Sequence, residues 1–486
     1  MRLVLVRCLF VAATLLGALA LPAAARAAGP PREQPKKTAE HDAPLPPGDE
    51  PRPRPAYSSR PARTRVGDVA LWVPRVALFP LYAVSEYAIR RPLGAVVTLA
   101  EKHHLRERWY EFFTLDDEGK IGLFPTGQID LGLRPRAGFY FVWLDAIGQS
   151  DLKVHVTTGG LEAWTVSSLL AEPLSRQAEL RWAFDYARRP DAVFYGLGRD
   201  VQDDVARYRE QRFHGRLSYR WHWQQLSFSA SSGLLSVAFN PTHEELGDES
   251  LGHAIETGRL APPPALAGGV LAFYTGLAGR IDTRPPRPGP APRRLADLER
   301  RSGTGVSAEL HVSQYGGLQG TRATVEQPLR LPQWLRYGAS FVGALDLTGT
   351  DRTLQLETLV ELVEPLPVDN PIPFTEQVSL GGTHPMRAFG GGRLIDQSAA
   401  VATLSYGWPL WPLLDGNLHY SIGNVFQRHF KGFELDDLRS SFGVGMESVG
   451  SFDHPFELLL AFGTKPLREG GAIETVRFVV GTRAGF

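Results

Sequence analysis

The chain closes on TVRFVVGTRAGF (475–486). Side chains of a β-strand alternate between its two faces. One face here takes Val476, Phe478, Val480, Thr482, Ala484 and Phe486. The other takes Arg477, Val479, Gly481, Arg483 and Gly485. The same period runs back through the chain to Ile121. Leu180, Trp182, Phe184 and Tyr186 alternate with Glu179, Arg181, Ala183 and Asp185. Phe213, Leu217, Tyr219 and Trp221 alternate with His214, Arg216, Ser218 and Arg220. In a soluble sandwich the polar face meets water and the apolar face meets a second sheet. Here the polar face is rich in Arg and Glu and the apolar face is aromatic. A barrel with a wet interior and a lipid-facing exterior explains both.

Composition narrows the class further. The 486 residues carry 52 basic and 52 acidic side chains, so charge gives no argument for a nucleic-acid partner. Hydrophobic content is 43% and mean hydropathy is −0.16, far too polar for a bundle of membrane helices. With 50 Gly, 25 Phe, 14 Tyr and 10 Trp the chain is also too aromatic to be disordered as a whole.

The order of segments is that of an exported protein. Arg2 and Arg7 precede the apolar run Leu9 to Leu21, and Ala25-Arg26-Ala27 fits a cleavage site, so 1–28 reads as a cleaved signal peptide. The only cysteine, Cys8, falls within it. The mature chain is therefore expected to have no disulfide framework and no thiol chemistry. Residues 29–65 are proline-rich with almost no aliphatics, and read as an extended linker. Residues 66–118 show apolar residues at helical spacing, broken at Pro74, Pro80 and Pro92, and Arg75, Glu86, Arg90 and Arg91 forbid a simple spanning helix. They read as short amphipathic helices on the periplasmic side. His103-His104 lacks a third ligand at metal spacing. Asp116-Asp117-Glu118 reads as a turn rather than a calcium site. No nucleophile–base pair or phosphate loop stands out, so neither an enzyme nor a cofactor or metal is implied.

Residues 119–486 form the expected barrel. A direct count of alternating segments gives seventeen strands. Single-chain bacterial barrels are even-numbered, so one segment early in the barrel is expected to be a strand counted twice. The fold class expected is all-β, a sixteen-stranded antiparallel transmembrane barrel with a short helical periplasmic N-terminal segment. Two poor strand formers, 239–265 and 283–301, read as outer loops. A third non-strand stretch, LGGTHPMRAFGGG (380–392), lies between strands near 354–363 and 400–408. Five strands follow it, near 401–408, 417–426, 438–447, 455–463 and 474–486. With a periplasmic C-terminus, that odd number puts the stretch outside. Its glycines allow tight backbone, so it could fold back into the lumen. A lone arginine there should find a carboxylate.

Several motifs together carry a resemblance. GG-x(4)-R-x-F (381–389) is followed by a strand ending in YGWPL (406–410), then LHYSIGNVF (418–426), LRSSFGVGME (438–447) and the terminal Phe486. This resembles the BamA/TamA-type outer-membrane assembly barrels of the bacterial surface antigen superfamily, over roughly residues 375–486. FYGLGRD (194–200) extends the likeness weakly upstream. The form is a short one, with no match to the family's periplasmic repeat domains. The resemblance implies sixteen strands and an infolded loop whose motif maps onto Gly381, Gly382, Arg387 and Phe389. It implies a C-terminal assembly signal at Phe478 and Phe486. The family's R-G-F/Y reads Arg387-Ala388-Phe389 here. The acids that pair with the family arginine are replaced by Ser405 and Ser421, both inward by alternation. Alternation offers Glu357, Glu361, Asp346, Glu447 and Glu457 as substitutes.

The expected function is insertion or translocation of other proteins at the bacterial outer membrane, through a lateral seam between the first strand (near 121–131) and the last. The expected partners are outer-membrane lipid and nascent outer-membrane or secreted proteins. A monomer suffices. Two alternatives stand beside it: a passive pore, and a structural or anchoring barrel. An infolded loop could be a static plug or an active latch.

Overall fold

The computed structural model describes residues 111–486, except 199–204, 245, 267, 287–294, 296–300, 321–329, 350, 369, 384, 412–413, 449–455 and 483–486. The expected signal peptide (1–28), linker (29–65) and most of the helical segment (66–118) lie outside the described residues, as do His103-His104 and Phe486.

Eleven strands come first: β1 (Ile121–Asp130), β2 (Arg136–Ile147), β3 (Ser150–Thr158), β4 (Trp164–Ser175), β5 (Ala178–Phe194), β6 (Ala206–Trp223), β7 (Leu226–Asn240), β8 (Val270–Asp282), β9 (Gly305–Gly317), β10 (Gln333–Asp346) and β11 (Thr353–Pro365). A six-residue helix, α1 (Leu251–Glu256), interrupts the β7–β8 connection. Two short strands, β12 (Val378–Leu380) and β13 (Leu394–Asp396), form a separate hairpin. Five more complete the chain: β14 (Ser398–Trp411), β15 (Leu414–Phe426), β16 (Arg439–Ser448), β17 (Phe456–Thr464) and β18 (Ile473–Thr482). All except β12 and β13 join, each antiparallel to its neighbours, in one closed barrel of sixteen strands. Closure leaves no free sheet edge along most of the wall, which is what lets strands cross hydrocarbon.

Alternation sorts the side chains as the sequence analysis expects. Trp182, Phe184, Tyr219, Phe228 and Phe442 are exposed on the outer face. Their neighbours Ser167, Glu179, Ser218, His222 and Ser441 are buried on the inner face. Rings pack along the outside, as between Phe442 of β16 and Phe462 of β17, with centroids 5.7 Å apart. Paired charges line the inside: Glu179 with Arg181 and Arg220, Glu361 with Arg336, Glu376 with Arg212.

One loop assignment is corrected. The 241–269 connection stands at the same end of the barrel as the β11–β14 connection. The 283–304 connection stands at the opposite end, beside the β6–β7 turn, where Arg301 donates to the backbone carbonyl of Gln224. The reason is parity. A single strand, β8, separates the two connections, so they cannot share an end. Proline richness marks a segment as non-strand but does not say which rim it leaves from.

The β11–β14 connection enters the barrel. β12 pairs with β13 from Val378↔Asp396 to Leu380↔Leu394, so 381–393 is the head of a hairpin. Val378, Leu380, Met386, Phe389 and Leu394 are all buried. They join Leu235, Val237, Trp334, Val363 and Val425 of the wall in one apolar cluster. A second cluster sets Phe374 of the same connection against Phe194, Tyr208 and α1. One end of the lumen therefore has an apolar core supplied by both wall and loop, and its burial stabilises the loop's position.

Candidate functional site

The hairpin head is shaped by its own backbone. Gly381 and Gly382 take φ of +104° and +81°, a region that favours glycine. Their amides donate to the carbonyls of Pro385 and Phe389. This folds 381–389 into a tight knot that points Arg387 and Phe389 at the wall.

Three adjacent strands receive the knot. Arg387 forms an ion pair with Glu457 of β17. Phe389 is fully buried against Gly463 of β17, where an added Cβ would lie 2.8 Å from the ring. Glycine at that site is a matter of space. The Ala388 N–H donates to Ser441 Oγ of β16 at 2.9 Å, and Ala388 carbonyl accepts from Thr475 Oγ1 of β18 at 3.0 Å. Arg477 of β18 donates from Nη1 to the carbonyls of Gly382 and Arg387. A buried charge needs a partner to be tolerated, and Glu457 supplies one to Arg387.

The other acids singled out in the sequence lie elsewhere. Glu361 pairs with Arg336. Asp346 accepts backbone N–H groups from Thr348 and Gly349 and shapes the β10–β11 turn. Glu357 stands on β11, across from Val342 and Thr403, and Glu447 stands across from Glu457 in the β16–β17 register. Ser421 is buried and shares a hydrogen bond of 2.9 Å with Thr403. Ser405 faces His419 in the β14–β15 register. Neither serine holds the loop, and Ser441, one strand further along, does. Phe478 sits on the outward side of β18, next to the buried Arg477 and Val479.

The stem of the hairpin has a second set of anchors. Glu474 of β18 pairs with both Arg393 of the loop and Arg439 of β16. The Arg393 guanidinium lies 4.6 Å from the Tyr195 ring centroid, a cation–π contact. The Gly198 N–H donates to the Ile395 carbonyl at 2.8 Å. Part of the FYGLG stretch thus docks the stem of this hairpin. Burial pushes the Asp396 carboxyl above its ordinary value, although Oδ1 accepts the Gln397 N–H.

The wall beside the knot is where the barrel closes. β1 and β18 pair at three positions among the described residues: Gln128↔Gly481, Ile129↔Val480 and Asp130↔Val479. β1 shares eight pairs with β2, and β18 shares nine with β17. Gly481 has φ +136°, and a Cβ there would lie 2.0 Å from the Gly127 carbonyl oxygen. Arg477 reaches across this junction. Its Nε and Nη2 donate to the two carboxylate oxygens of Asp130, at 3.1 and 2.7 Å. The chain leading into the barrel also touches the junction. The Leu115 N–H donates to the Ile121 carbonyl at 2.8 Å, and Thr114 bridges to Gly122 on the β1 edge turned away from β2. Asp116 closes that turn by accepting the amides of Lys120 and Ile121.

Sequence reasoning placed Arg477 in the lumen but gave it no partner, and it passed over Asp130, Ser441, Gly463 and Thr475. Nothing in one strand's pattern says which residue of another lies at the same height.

The fold and site define a closed sixteen-stranded barrel, apolar outside, with a hairpin knotted into its lumen beside the β1–β18 junction. No family model matches the chain, and no curated protein does. Solved structures are similar to it. BamA from Haemophilus ducreyi lacking POTRA domains 1–3 is 13% identical, with a TM-score of 0.48, over 75% of this chain and 70% of that one. CdiB from Acinetobacter baumannii is 8% identical, with a TM-score of 0.44, and CdiB from Escherichia coli is 12% identical, with a TM-score of 0.43. The matches cover 76% and 74% of this chain, and 60% and 62% of the two CdiB chains.

Proposed function

We propose that this chain is an outer-membrane barrel that inserts or translocates other proteins through the β1–β18 junction. The observation that carries this reading is the junction itself, where Gly481 takes φ +136° with no room for a side chain against the Gly127 carbonyl, and where the described residues pair at three positions. A glycine that brings no side chain to the junction leaves β18 with less packing to hold it against β1. Opening exposes N–H and C=O groups in a lipid environment, where they must find partners. An incoming β-strand satisfies them by edge addition. The chemistry is non-covalent, and the reading calls for no cofactor.

On this reading Gly381, Gly382, Arg387 and Phe389 form a latch that braces β16, β17 and β18 from inside. Glu457 does for Arg387 what the acids missing at Ser405 and Ser421 do in the family that the sequence resembles. Phe478 and Phe486 belong to the signal by which the barrel is itself assembled. The aromatic outer face supports residence in a membrane, and the signal-like start of the sequence supports export to the outer one.

The test is photo-crosslinking in cells from an unnatural residue at Val480, on the outward face of β18. Adducts with nascent outer-membrane or secreted proteins are expected. A folded, membrane-resident protein that gives none would overturn the reading.

A further inference from the structure

Arg477 bonds both the loop and the opposite side of the seam. Its guanidinium has two working sides. Nε and Nη2 form a fork onto the Asp130 carboxylate of β1, at 3.1 and 2.7 Å. Nη1 donates to the carbonyls of Gly382 and Arg387 in the hairpin head. Arg477 and Asp130 are 7% and 8% exposed, so water cannot readily replace either partner. The residue stands on β18 two positions from Val479, whose register partner is Asp130 itself.

The geometry points to a clasp: Arg477 couples the position of the hairpin to the state of the seam, and Asp130 is the part of that clasp that senses β1. The inference rests on the seam reading above and adds its regulation. If β1 leaves β18, Asp130 is stripped from the fork. The guanidinium then keeps only the two loop carbonyls, and its planar head is free to rotate away from them. If the loop leaves, Nη1 loses both acceptors, and the fork that remains is held by one carboxylate. A buried, charge-assisted bidentate pair is both strong and directional, so changing either side disturbs the other. Among the described residues, the Asp130 carboxylate pairs with Arg477 and forms no hydrogen bond to the loop. Any effect of its substitution on the loop must therefore pass through Arg477. Arg477 is a positioning residue in this scheme.

The test uses the full-length protein with Cys8→Ser, refolded into lipid, with folding read from heat-dependent gel mobility. Two quantities are measured. The first is hydrogen exchange of the amides of 381–389, among which Gly381, Gly382 and Phe389 are hydrogen-bonded within the head. The second is the rate of disulfide formation between Ile129→Cys and Val480→Cys, which are directly paired across the seam. Asp130→Asn is expected to slow disulfide formation and to speed loop exchange about tenfold, a typical size for coupling between sites. Arg477→Lys keeps the charge but not the fork, and is expected to speed loop exchange to a similar degree. The double variant should be no faster than either single one, because the two residues act as a unit. Should Asp130→Asn not fold, Asp130→Glu takes its place, with a smaller effect in the same direction. Loop exchange within twofold of the parent in the Asp130 variant overturns the clasp, as do effects that multiply in the double variant. No client protein is present in these measurements. A failed clasp therefore leaves the Val480 crosslinking result standing, and the absence of crosslinks leaves the clasp standing.

Discussion

Arg387 at the tip of the hairpin and Glu457 on β17 are 70 positions apart in sequence and form one ion pair, with side chains 14% and 3% exposed. Hydrogen bonds from the Ala388 N–H to Ser441 and from Thr475 to the Ala388 carbonyl fix the backbone of the next residue. The Arg387 pair is therefore flanked by neutral hydrogen bonds at Ala388, and the two kinds respond differently to substitution.

Removing one partner of a buried pair leaves the other charged in a poor solvent, at a cost of about 3–5 kcal/mol. Glu457→Gln should lower the unfolding midpoint clearly and loosen the hairpin. Replacing both partners by apolar residues of similar size, as in Arg387→Met with Glu457→Leu, should recover most of that loss. Heat-dependent gel mobility of the single and double variants measures this. A double variant as unstable as Glu457→Gln would show that the pair is needed for more than charge balance.

Gly463 makes room for Phe389. A Cβ there would lie 2.4 Å from Thr475 Oγ1 and 2.8 Å from the Phe389 ring. Overfilling a packed site costs about 1–3 kcal/mol. Gly463→Val should therefore expel the ring while the β16–β17 ladder survives. Limited proteolysis within 380–392 should become fast in the variant, and unchanged protection would count against this packing.

Gly481 is set against the seam in the same way. With φ +136° and the Gly127 carbonyl 2.0 Å from an added Cβ, a side chain there is both strained and obstructed. Gly481→Val should cut disulfide trapping between Ile129→Cys and Val480→Cys at least several-fold, with β17–β18 pairing intact. A trapping rate equal to that of the parent would mean the seam tolerates a side chain at that site.

The apolar core of the loop end makes a prediction about conduction. Phe374, Met386, Phe389 and Leu394 are buried in the two apolar clusters that join loop to wall. The intact barrel should conduct weakly in planar bilayers. Deleting 380–392 should raise single-channel conductance by at least about fivefold, since a barrel of this strand number encloses an aqueous lumen once unfilled. A large conductance in the intact chain would favour the passive-pore alternative.

Most of the wall was legible before the structure. The alternation of Leu180, Trp182, Phe184 and Tyr186 against charged neighbours is a local property, set by the two-residue period of a strand. The last five strands fall where the sequence puts them, to within about three residues where both ends are described. The seventeenth strand of the direct count does not exist in the barrel. Side was harder than type. The 283–304 connection left from the unexpected rim, because composition reports the absence of a strand and only strand parity reports the rim. The site was legible in part. The glycines and the arginine of 380–392 announced a folded-back loop. Glu457 stood among five inward acids that alternation could not rank. Asp130 and Arg477 meet only because the first and last strands adjoin at closure, a relation between residues nearly the whole barrel apart in sequence. Pattern within a strand carries no information about height across the lumen.

The short contact of Thr114 and Leu115 with the free side of β1 has a mechanical consequence. The described chain enters the barrel here, through residues 111–115, beside the junction of the first and last strands. Within the described residues, a pull along 111–115 reaches the Thr114–Gly122 bridge and the Leu115 N–H bond to Ile121 before the ladder of β1. Terminal bonds of this kind fray for almost no free energy, whereas a long ladder yields only as a block. Tension carried by residues 111–115 is thus delivered to the start of β1 and not spread around the circumference, so this short segment has the placement of a ripcord.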